Sequence, residues 1–155
     1  MPQRLFLLDA YALIYRAYYA FIKAPRIDSQ GRNTSAIFGF VLMLEDLLGK
    51  EQPDELAVVF DPAGGTFRHR EYPDYKAQRE ETPEGIRIAV PIIRQLLEAY
   101  RIPAVEVADY EADDVIGTLS HRAASAGREV YMVTPDKDYG QLVTEQVKMY
   151  RPMQG

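Results

Sequence analysis

The sequence predicts an α/β fold with a mostly parallel sheet of about five strands and helices on both faces. Short apolar runs alternate with longer amphipathic segments along the chain, which is typical of parallel strands joined by crossover helices. The apolar fraction of 47% and the charged fraction of 26% are ordinary for a globular protein. Because 155 residues suffice for one hydrophobic core, we expect residues 1–155 to form one domain or one large portion of a domain.

Four elements are predicted in the first part of the chain. Arg4–Leu8 is a short apolar run of the kind that forms buried strands, and Tyr11–Phe21 interleaves tyrosines with aliphatic residues as a helix does. Lys23–Asn33 contains proline, glycine and short polar residues and is predicted to be a loop. A second helix is expected over about 34–49, capped by a threonine or a serine, and Glu55–Phe60 is the second strand.

The second part repeats the alternation. A helix is expected from Pro83 or Glu84 to about Tyr100, since proline is favoured at the start of helices. Its predicted apolar positions are Ile88, Ile92, Leu96 and Leu97. Another helix over 111–126 ends before Gly127, and a short helix is expected over 136–143. The remaining apolar runs are predicted strands at Ile102–Val107, Glu129–Val133 and Val147–Tyr150.

Composition excludes several classes of protein. The chain has no cysteine, so disulfides and thiolate metal sites are ruled out. No apolar run approaches the roughly 18 residues needed to span a membrane, and the N-terminus lacks the pattern of a signal peptide. We therefore expect a cytoplasmic protein with no membrane partner. The net charge of −5 does not favour a nucleic-acid partner by itself, so the distribution of charge matters more than its sum.

Seven carboxylates follow the ends of four predicted strands. They are Asp9, Asp61, Glu111, Asp113, Asp114, Asp136 and Asp138. Because the carboxyl ends of parallel strands meet at one edge of a sheet, we expect these side chains to lie close together there. Like charges repel at that distance unless cations lie between them. Oxygen ligands without cysteine favour Mg²⁺ or Mn²⁺ over zinc, and neither histidine is near the acids in sequence.

Each acid also has a purely structural interpretation. An aspartate that follows a strand, such as Asp9 or Asp136, is often the N-cap of the next helix. Glu111, Asp113 and Asp114 suit the first turn of a helix because its dipole favours negative charge. A non-enzymatic α/β module whose acids only cap helices therefore remains an alternative. This alternative requires four strands to bring acids to one edge for unrelated reasons, and it is therefore a weaker explanation than a shared metal site.

A basic and aromatic strip follows Asp61. Over residues 66–79 it alternates cations with aromatic residues, and Lys76 and Arg79 are three apart, so in a helix they share one face. Two such cations can grip a phosphate, and tyrosines such as Tyr75 can stack on bases. Arg16 lies about two helical turns beyond Asp9 and can approach the same edge. The alternative is a solvated loop whose cations pair with its own acids.

The ordered set of motifs resembles a known family. The motifs are Leu7-Leu8-Asp9 with Tyr15-Arg16, Phe38-Gly39-Phe40, Val59-Phe60-Asp61, Phe67-Arg68, Tyr75-Lys76-Ala77-Gln78-Arg79, Tyr110 to Asp114, and Thr134-Pro135-Asp136-Lys137-Asp138. Together they resemble the N-terminal 5′-nuclease domain of bacterial DNA polymerase I, of the flap endonuclease family. The likeness covers essentially the whole chain, and the set is specific although each motif alone is weak.

The resemblance implies a PIN-like (Rossmann-like) fold with two Mg²⁺ or Mn²⁺ ions, acting on 5′ ends, flaps and nicks of DNA in bacterial replication and repair. The seven acids above would be metal ligands or their immediate supports. Lys76 and Arg79 would be catalytic, in an arch-like segment over about 66–82. The residues that would contact DNA are Arg16, Arg68, Arg70, Tyr75, Lys76 and Arg79.

The resemblance also implies a longer polypeptide. Members of the family continue past the fifth strand with further acids and a helix-three-turn-helix that holds duplex DNA, so we expect this chain to be the front portion of the nuclease domain of a monomeric protein. A polymerase portion would then belong to the same polypeptide. The alternative is a fragment that binds metal or DNA without cutting.

Two other acidic α/β enzymes fit less well. An aspartyl-phosphate phosphatase needs a second aspartate two residues after the first, where this chain has Tyr11. A topoisomerase-primase domain pairs its Asp-x-Asp motif with a single upstream glutamate, so Asp9 and Asp61 would have no role in it.

Overall fold

The structure, a computed structural model, describes residues 2–62 and 82–152. Its strands are β1 (Arg4–Asp9), β2 (Glu55–Phe60), β3 (Ala104–Glu106), β4 (Glu129–Val133) and β5 (Val147–Tyr150). Its helices are α1 (Ala10–Ala20), α2 (Ser35–Glu51), α3 (Glu84–Tyr100) and α4 (Ala112–Ser125), with a 3-10 helix over Lys137–Leu142. The strands form one parallel sheet in the order β3-β2-β1-β4-β5. The predicted order of strands and helices is confirmed over the described residues.

Alternate residues of β1 face two separate halves of the core. Phe6 and Leu8 pack on one face of the sheet with buried residues of α1, α2 and α3. Leu7 packs on the other face with α4 and the 3-10 helix. This alternation follows from the two-residue period of a strand, and helices on both faces explain why Leu5–Leu8 in β1 are all apolar.

The third strand is shorter than the sequence predicts. Ile102 was expected to begin it, but the backbone N–H of Ile102 donates to the carbonyl of Leu97 at 2.9 Å and closes the end of α3. Arg101, at the helix end, has a φ of 61°, which turns the chain out of the helix. The backbone of Ile102 thus belongs to the helix end, and β3 begins two residues later, at Ala104.

The buried face of α3 also differs from the prediction. Ile88, Ile92 and Leu96 are only half-buried, and Leu97 alone of the predicted set is fully buried. The stripe in the core consists of Gly85, Ile86, Ala89, Ile93 and Leu97. Two neighbouring stripes of this helix are apolar at four-residue spacing, and the packing on the sheet selects between them.

None of the helices within residues 2–62 and 82–152 is long and apolar enough to cross a lipid bilayer.

Candidate metal centre

The carboxyl edge of the sheet carries acids from several elements. Asp9 is the last residue of β1, and Asp61 directly follows β2. Glu111 is the N-cap of α4, and Asp136 is the N-cap of the 3-10 helix that follows β4. Because all five strands are parallel, these positions lie at one edge of the sheet, as predicted for them.

Asp9 is a buried acid at the centre of this edge. Its side chain is 7% exposed, and its Oδ2 accepts hydrogen bonds from the Tyr139 hydroxyl at 2.9 Å and from Thr134 Oγ1 at 3.3 Å. Thr134 is fully buried, and its Oγ1 also accepts the backbone N–H of Asp136 at 3.1 Å. A chain of hydrogen bonds therefore links the end of β1 to the segment that follows β4.

Burial raises the pKa of Asp9 from 3.8 to about 6. The Tyr139 hydrogen bond works in the opposite direction, and the negative charge of Asp61 raises the pKa further. Keeping this carboxylate ionised near neutral pH is therefore costly unless a positive charge joins the site. Burial also raises the pKa of Tyr139, with the charges of Asp9, Asp113 and Asp61 acting in the same direction, so this phenol stays protonated and donates.

Asp61 connects two neighbouring elements of the edge. Its Oδ1 accepts a hydrogen bond from the backbone N–H of Ala112 at 2.8 Å, so a residue after β2 caps the first turn of α4. The half-buried Asp61 carboxylate is also near enough to Asp9 and Tyr139 to influence the pKa of each.

The start of α4 is a reciprocal capping box. The backbone N–H of Glu111 donates to Asp114 Oδ2 at 3.2 Å, and the Glu111 carboxylate accepts the backbone N–H of Asp114. Glu111 is 7% exposed, whereas Asp113 is exposed. Capping therefore accounts for part of what Glu111 and Asp114 do, as the structural interpretation of these acids expected.

Asp136 and Asp138 lie at the solvent side of the edge. Both are exposed, and Asp136 Oδ1 accepts the backbone N–H of Asp138 at 2.9 Å, which caps the 3-10 helix. The helix thereby places its one buried residue, Tyr139, against Asp9.

The structure brings Asp9, Asp61 and Asp113 near Tyr139, whose pKa responds to all three charges. Among residues 2–62 and 82–152, however, no group of three or more His, Asp or Glu side chains is arranged so that it could hold a metal ion as it stands. The donor set is nonetheless all oxygen, which is the ligand chemistry that hard divalent cations prefer.

An open groove of about 450 Å³ lies beside the acids, between α4 and the 3-10 helix. It is lined by Asp113, Asp114, Gly117, Thr118, His121, Arg122 and Leu142. His121 is distant from the acids in sequence, but two turns of helix bring it onto the same wall as Asp113.

The predicted DNA contacts are described only in part. Arg16 is half-buried on α1, about two turns beyond Asp9. The other predicted contacts, Arg68, Arg70, Tyr75, Lys76 and Arg79, lie outside the described residues, as does nearly all of the arch-like segment over 66–82.

Sequence reasoning missed Tyr139 and gave Thr134 no role. Tyr139 lies within a polar segment, next to Asp138, and such an isolated aromatic residue beside an acid is a signal for a buried anchor. Thr134 directly follows β4, as Asp61 directly follows β2. Neither signal identifies Asp9 as the partner, because the contacts span 130 and 125 residues of sequence.

Comparisons with known proteins agree with this architecture. The chain is 42% identical to DNA polymerase I of Geobacillus stearothermophilus over 148 residues, which are 95% of this chain and 17% of that protein. It is 41% identical to a 5′-3′ exonuclease of Aquifex aeolicus over 149 residues, which are 96% of this chain and 51% of that protein. The chain thus spans from a sixth to a half of these relatives.

Two solved structures share the fold. T5 5′-exonuclease with zinc ions bound matches 96% of this chain and 55% of its own, at 19% identity and a TM-score of 0.67. The catalytic core of Rad2 in complex with a DNA substrate matches 99% of this chain and 45% of its own, at 22% identity and a TM-score of 0.55. The predicted PIN-like α/β fold is therefore confirmed.

A family described as "5′-3′ exonuclease, N-terminal resolvase-like domain" matches residues 4–155. The resemblance to the nuclease domain of bacterial DNA polymerase I is confirmed by this match and by the relatives above. The chain belongs to the family of 5′-3′ exonuclease N-terminal, resolvase-like domains.

Proposed function

We propose that the protein containing this chain is a structure-specific 5′-3′ exonuclease and flap endonuclease. It hydrolyses phosphodiester bonds at 5′ ends, flaps and nicks of DNA in replication and repair, and it uses Mg²⁺ or Mn²⁺, with two ions in the complete domain. The protein acts as a monomer in the bacterial cytoplasm, joined to a polymerase portion where the polypeptide has one. Membership of the 5′-3′ exonuclease family supports the reaction class.

The observation that carries the proposal is the pair of acids at the centre of the edge. Asp9 is buried, which raises its pKa, and the negative charge of Asp61 acts in the same direction. A helix cap needs no second acid nearby, since one carboxylate satisfies the backbone donors. Two neighbouring carboxylates oppose each other's ionisation. A divalent cation bound between them makes the ionised state of both favourable.

The chain's own residues have distinct tasks in this reaction. Asp9, Asp61, Glu111, Asp113, Asp114, Asp136 and Asp138 hold the cations or support the acids that do. When bound there, the cations would supply polarisation of the phosphate and a more acidic water. Lys76 and Arg79 offset the charge that develops on the phosphate oxygens. Arg16, Arg68 and Arg70 hold the DNA backbone, and Tyr75 stacks on a base.

The second candidate is a non-enzymatic α/β module whose acids only cap helices. Its support is the capping seen at Asp61, Glu111 and Asp136, each of which accepts backbone N–H groups at a helix start. Capping alone explains those three contacts. Asp9 is likewise the N-cap residue of α1, but capping does not explain its burial beside a second acid.

Cleavage of a 5′-flap DNA by the natural full-length polypeptide tests the proposal. We expect Asp9→Asn to abolish cleavage in Mg²⁺ while flap binding, measured by fluorescence anisotropy, stays largely intact. Asp46→Asn is the matched control, because Asp46 is an exposed acid on α2 that pairs with Lys50 at 3.2 Å, away from the edge. DNA binding by the wild-type protein without Mg²⁺-dependent cleavage would replace the proposal with binding of DNA without cutting. The absence of both binding and cleavage would favour the non-enzymatic module, and full cleavage by Asp9→Asn would refute the role of Asp9.

A further inference from the structure

The hydroxyl of Tyr139 makes an unusual contact for a core aromatic residue. Tyr139 is 3% exposed and packs in the core half that lies under α4, together with Ile116 and Met132. A phenylalanine would fill that space equally well. The hydroxyl instead reaches Asp9 Oδ2 at 2.9 Å, so the contact serves the acid and not the packing.

The direction of each hydrogen bond follows from the donors present. Thr134 Oγ1 accepts the N–H of Asp136, so the Thr134 proton is available for Asp9. Tyr139 has one proton and donates it to the same Oδ2. A carboxylate that receives two donors on one oxygen is held in one rotamer in its ionised form.

Tyr139 also joins two groups of acids. It is the buried residue of the 3-10 helix, one position after Asp138, and this helix is capped by Asp136. The hydroxyl therefore anchors the segment that carries Asp136 and Asp138 to the end of β1, across 130 residues of sequence.

From this geometry we propose that Tyr139 is a positioning residue for the metal centre: its hydroxyl orients Asp9 for cation binding and fixes the 3-10 helix beside it. The inference rests on the proposed function, since it presumes that Asp9 is a ligand. Residues that orient metal ligands typically affect metal affinity by 10–100-fold when they are removed. In this proposal Tyr139 acts on the metal centre through Asp9 and is not itself a ligand.

Titration with Mn²⁺ tests the inference without any assay of activity. The full-length polypeptide is titrated in metal-free buffer, and bound Mn²⁺ is followed by the loss of the free-ion electron paramagnetic resonance signal. We expect Tyr139→Phe to raise the Mn²⁺ dissociation constant by roughly tenfold. The thermal midpoint of the metal-free variant is measured in parallel and should stay within a few degrees of wild type, because the phenyl ring remains in the core.

Tyr131→Phe is the matched control. The Tyr131 hydroxyl also donates to a carboxylate, that of Glu129, but at the amino end of β4 and therefore at the opposite edge of the sheet. We expect this variant to bind Mn²⁺ as wild type does.

Asp9→Asn separates the two ways in which the idea can fail. Loss of Mn²⁺ binding in Asp9→Asn together with unchanged affinity in Tyr139→Phe would refute the positioning role and leave the metal centre in place. Unchanged binding in Asp9→Asn would refute the metal centre and the positioning role with it. Equal weakening by Tyr139→Phe and Tyr131→Phe would also refute the inference, since the effect would then be unspecific.

Discussion

The carboxylate of Asp61 accepts a hydrogen bond from the backbone N–H of Ala112 at 2.8 Å, although the two residues are 51 positions apart. The contact attaches the start of α4 to the end of β2. Asp61 therefore has two roles. Its oxygen caps the first turn of α4, and its negative charge raises the pKa of Asp9.

Substitutions of Asp61 should separate these tasks. Asn keeps the acceptor oxygen and removes the charge, so we expect Asp61→Asn to leave the metal-free free energy of unfolding unchanged or slightly higher. Asp61→Ala also removes the cap and should cost about 1 kcal/mol. Urea denaturation with and without Mg²⁺ measures both, and both variants should lose the stabilisation by Mg²⁺ that a bound ion gives. Equal destabilisation by Asn and Ala would contradict the capping role of the oxygen.

The raised pKa of Asp9 predicts how stability depends on pH. The folded state binds the proton more tightly than the unfolded chain, since the pKa is about 6 instead of 3.8. The protonated Asp9 therefore contributes to the free energy of unfolding. This contribution is fully present below about pH 4 and is lost as the pH rises through about 6. At about 1.4 kcal/mol per pKa unit, the loss is about 3 kcal/mol.

Asp9→Asn provides the comparison for this prediction. Its metal-free free energy of unfolding should exceed that of wild type by an amount that grows between pH 4 and pH 7, and urea titrations across that range measure it. Saturating Mg²⁺ should shrink the difference, because the cation offsets the charge of the wild-type acid. A difference that stays constant with pH would show that Asp9 titrates normally.

The crossing of α1 and α2 should tolerate no side chain at Gly39. A Cβ built there lies 2.7 Å from the Cβ of Ala17 and 3.2 Å from its Cα, and neither atom belongs to a flexible side chain. We expect Gly39→Ala to lower the free energy of unfolding by about 1–3 kcal/mol. Gly49→Ala on the same helix meets nothing within 4 Å and should raise it by up to ~1 kcal/mol. Urea denaturation of both variants checks the pair, and a stabilising Gly39→Ala would show that the helices can separate.

Lys76 should act on the rate of cleavage more than on affinity. A cation that stabilises charge arising in the transition state changes turnover, whereas simple attraction to the backbone changes binding. We expect Lys76→Ala to lower turnover at saturating flap DNA with little change in its dissociation constant. Lys50→Ala, at an exposed lysine on α2, should change neither quantity. Normal turnover with poorer affinity would show that Lys76 only attracts the phosphate backbone of the DNA.

Much of the fold follows from local sequence pattern. The bounds of β2, β4 and β5 match the prediction because each is a short apolar run between polar residues. The prediction of the buried stripe of α3 was wrong, because the helix has two apolar stripes with the same periodicity. Packing on the sheet determines which of the two is buried. Local pattern predicts that β3 exists but not where it starts, because its start depends on a backbone hydrogen bond from Ile102 into the helix end.

The positions of Asp9 and Asp61 at one edge of the sheet could be predicted, but their hydrogen-bond partners could not. Asp9 and Asp61 follow strands, and the parallel sheet brings strand ends together. The contact between Tyr139 and Asp9 depends on a 3-10 helix turning one phenol inward, and no spacing in the sequence encodes that. The set of ligands stays a prediction, because its exposed members are not gathered around one point in the described residues.

The central position of β1 has a consequence for how the protein is made. Its register pairs Arg4 with Glu129 on one side and Leu5 with Glu55 on the other, so β1 gains its second neighbour only after β4 has been synthesised. At about 5–20 residues per second, translation from β1 to the end of β4 takes roughly 6 to 25 s. Throughout that interval one side of β1 has no partner strand, and such an open strand edge is a template for pairing with other chains.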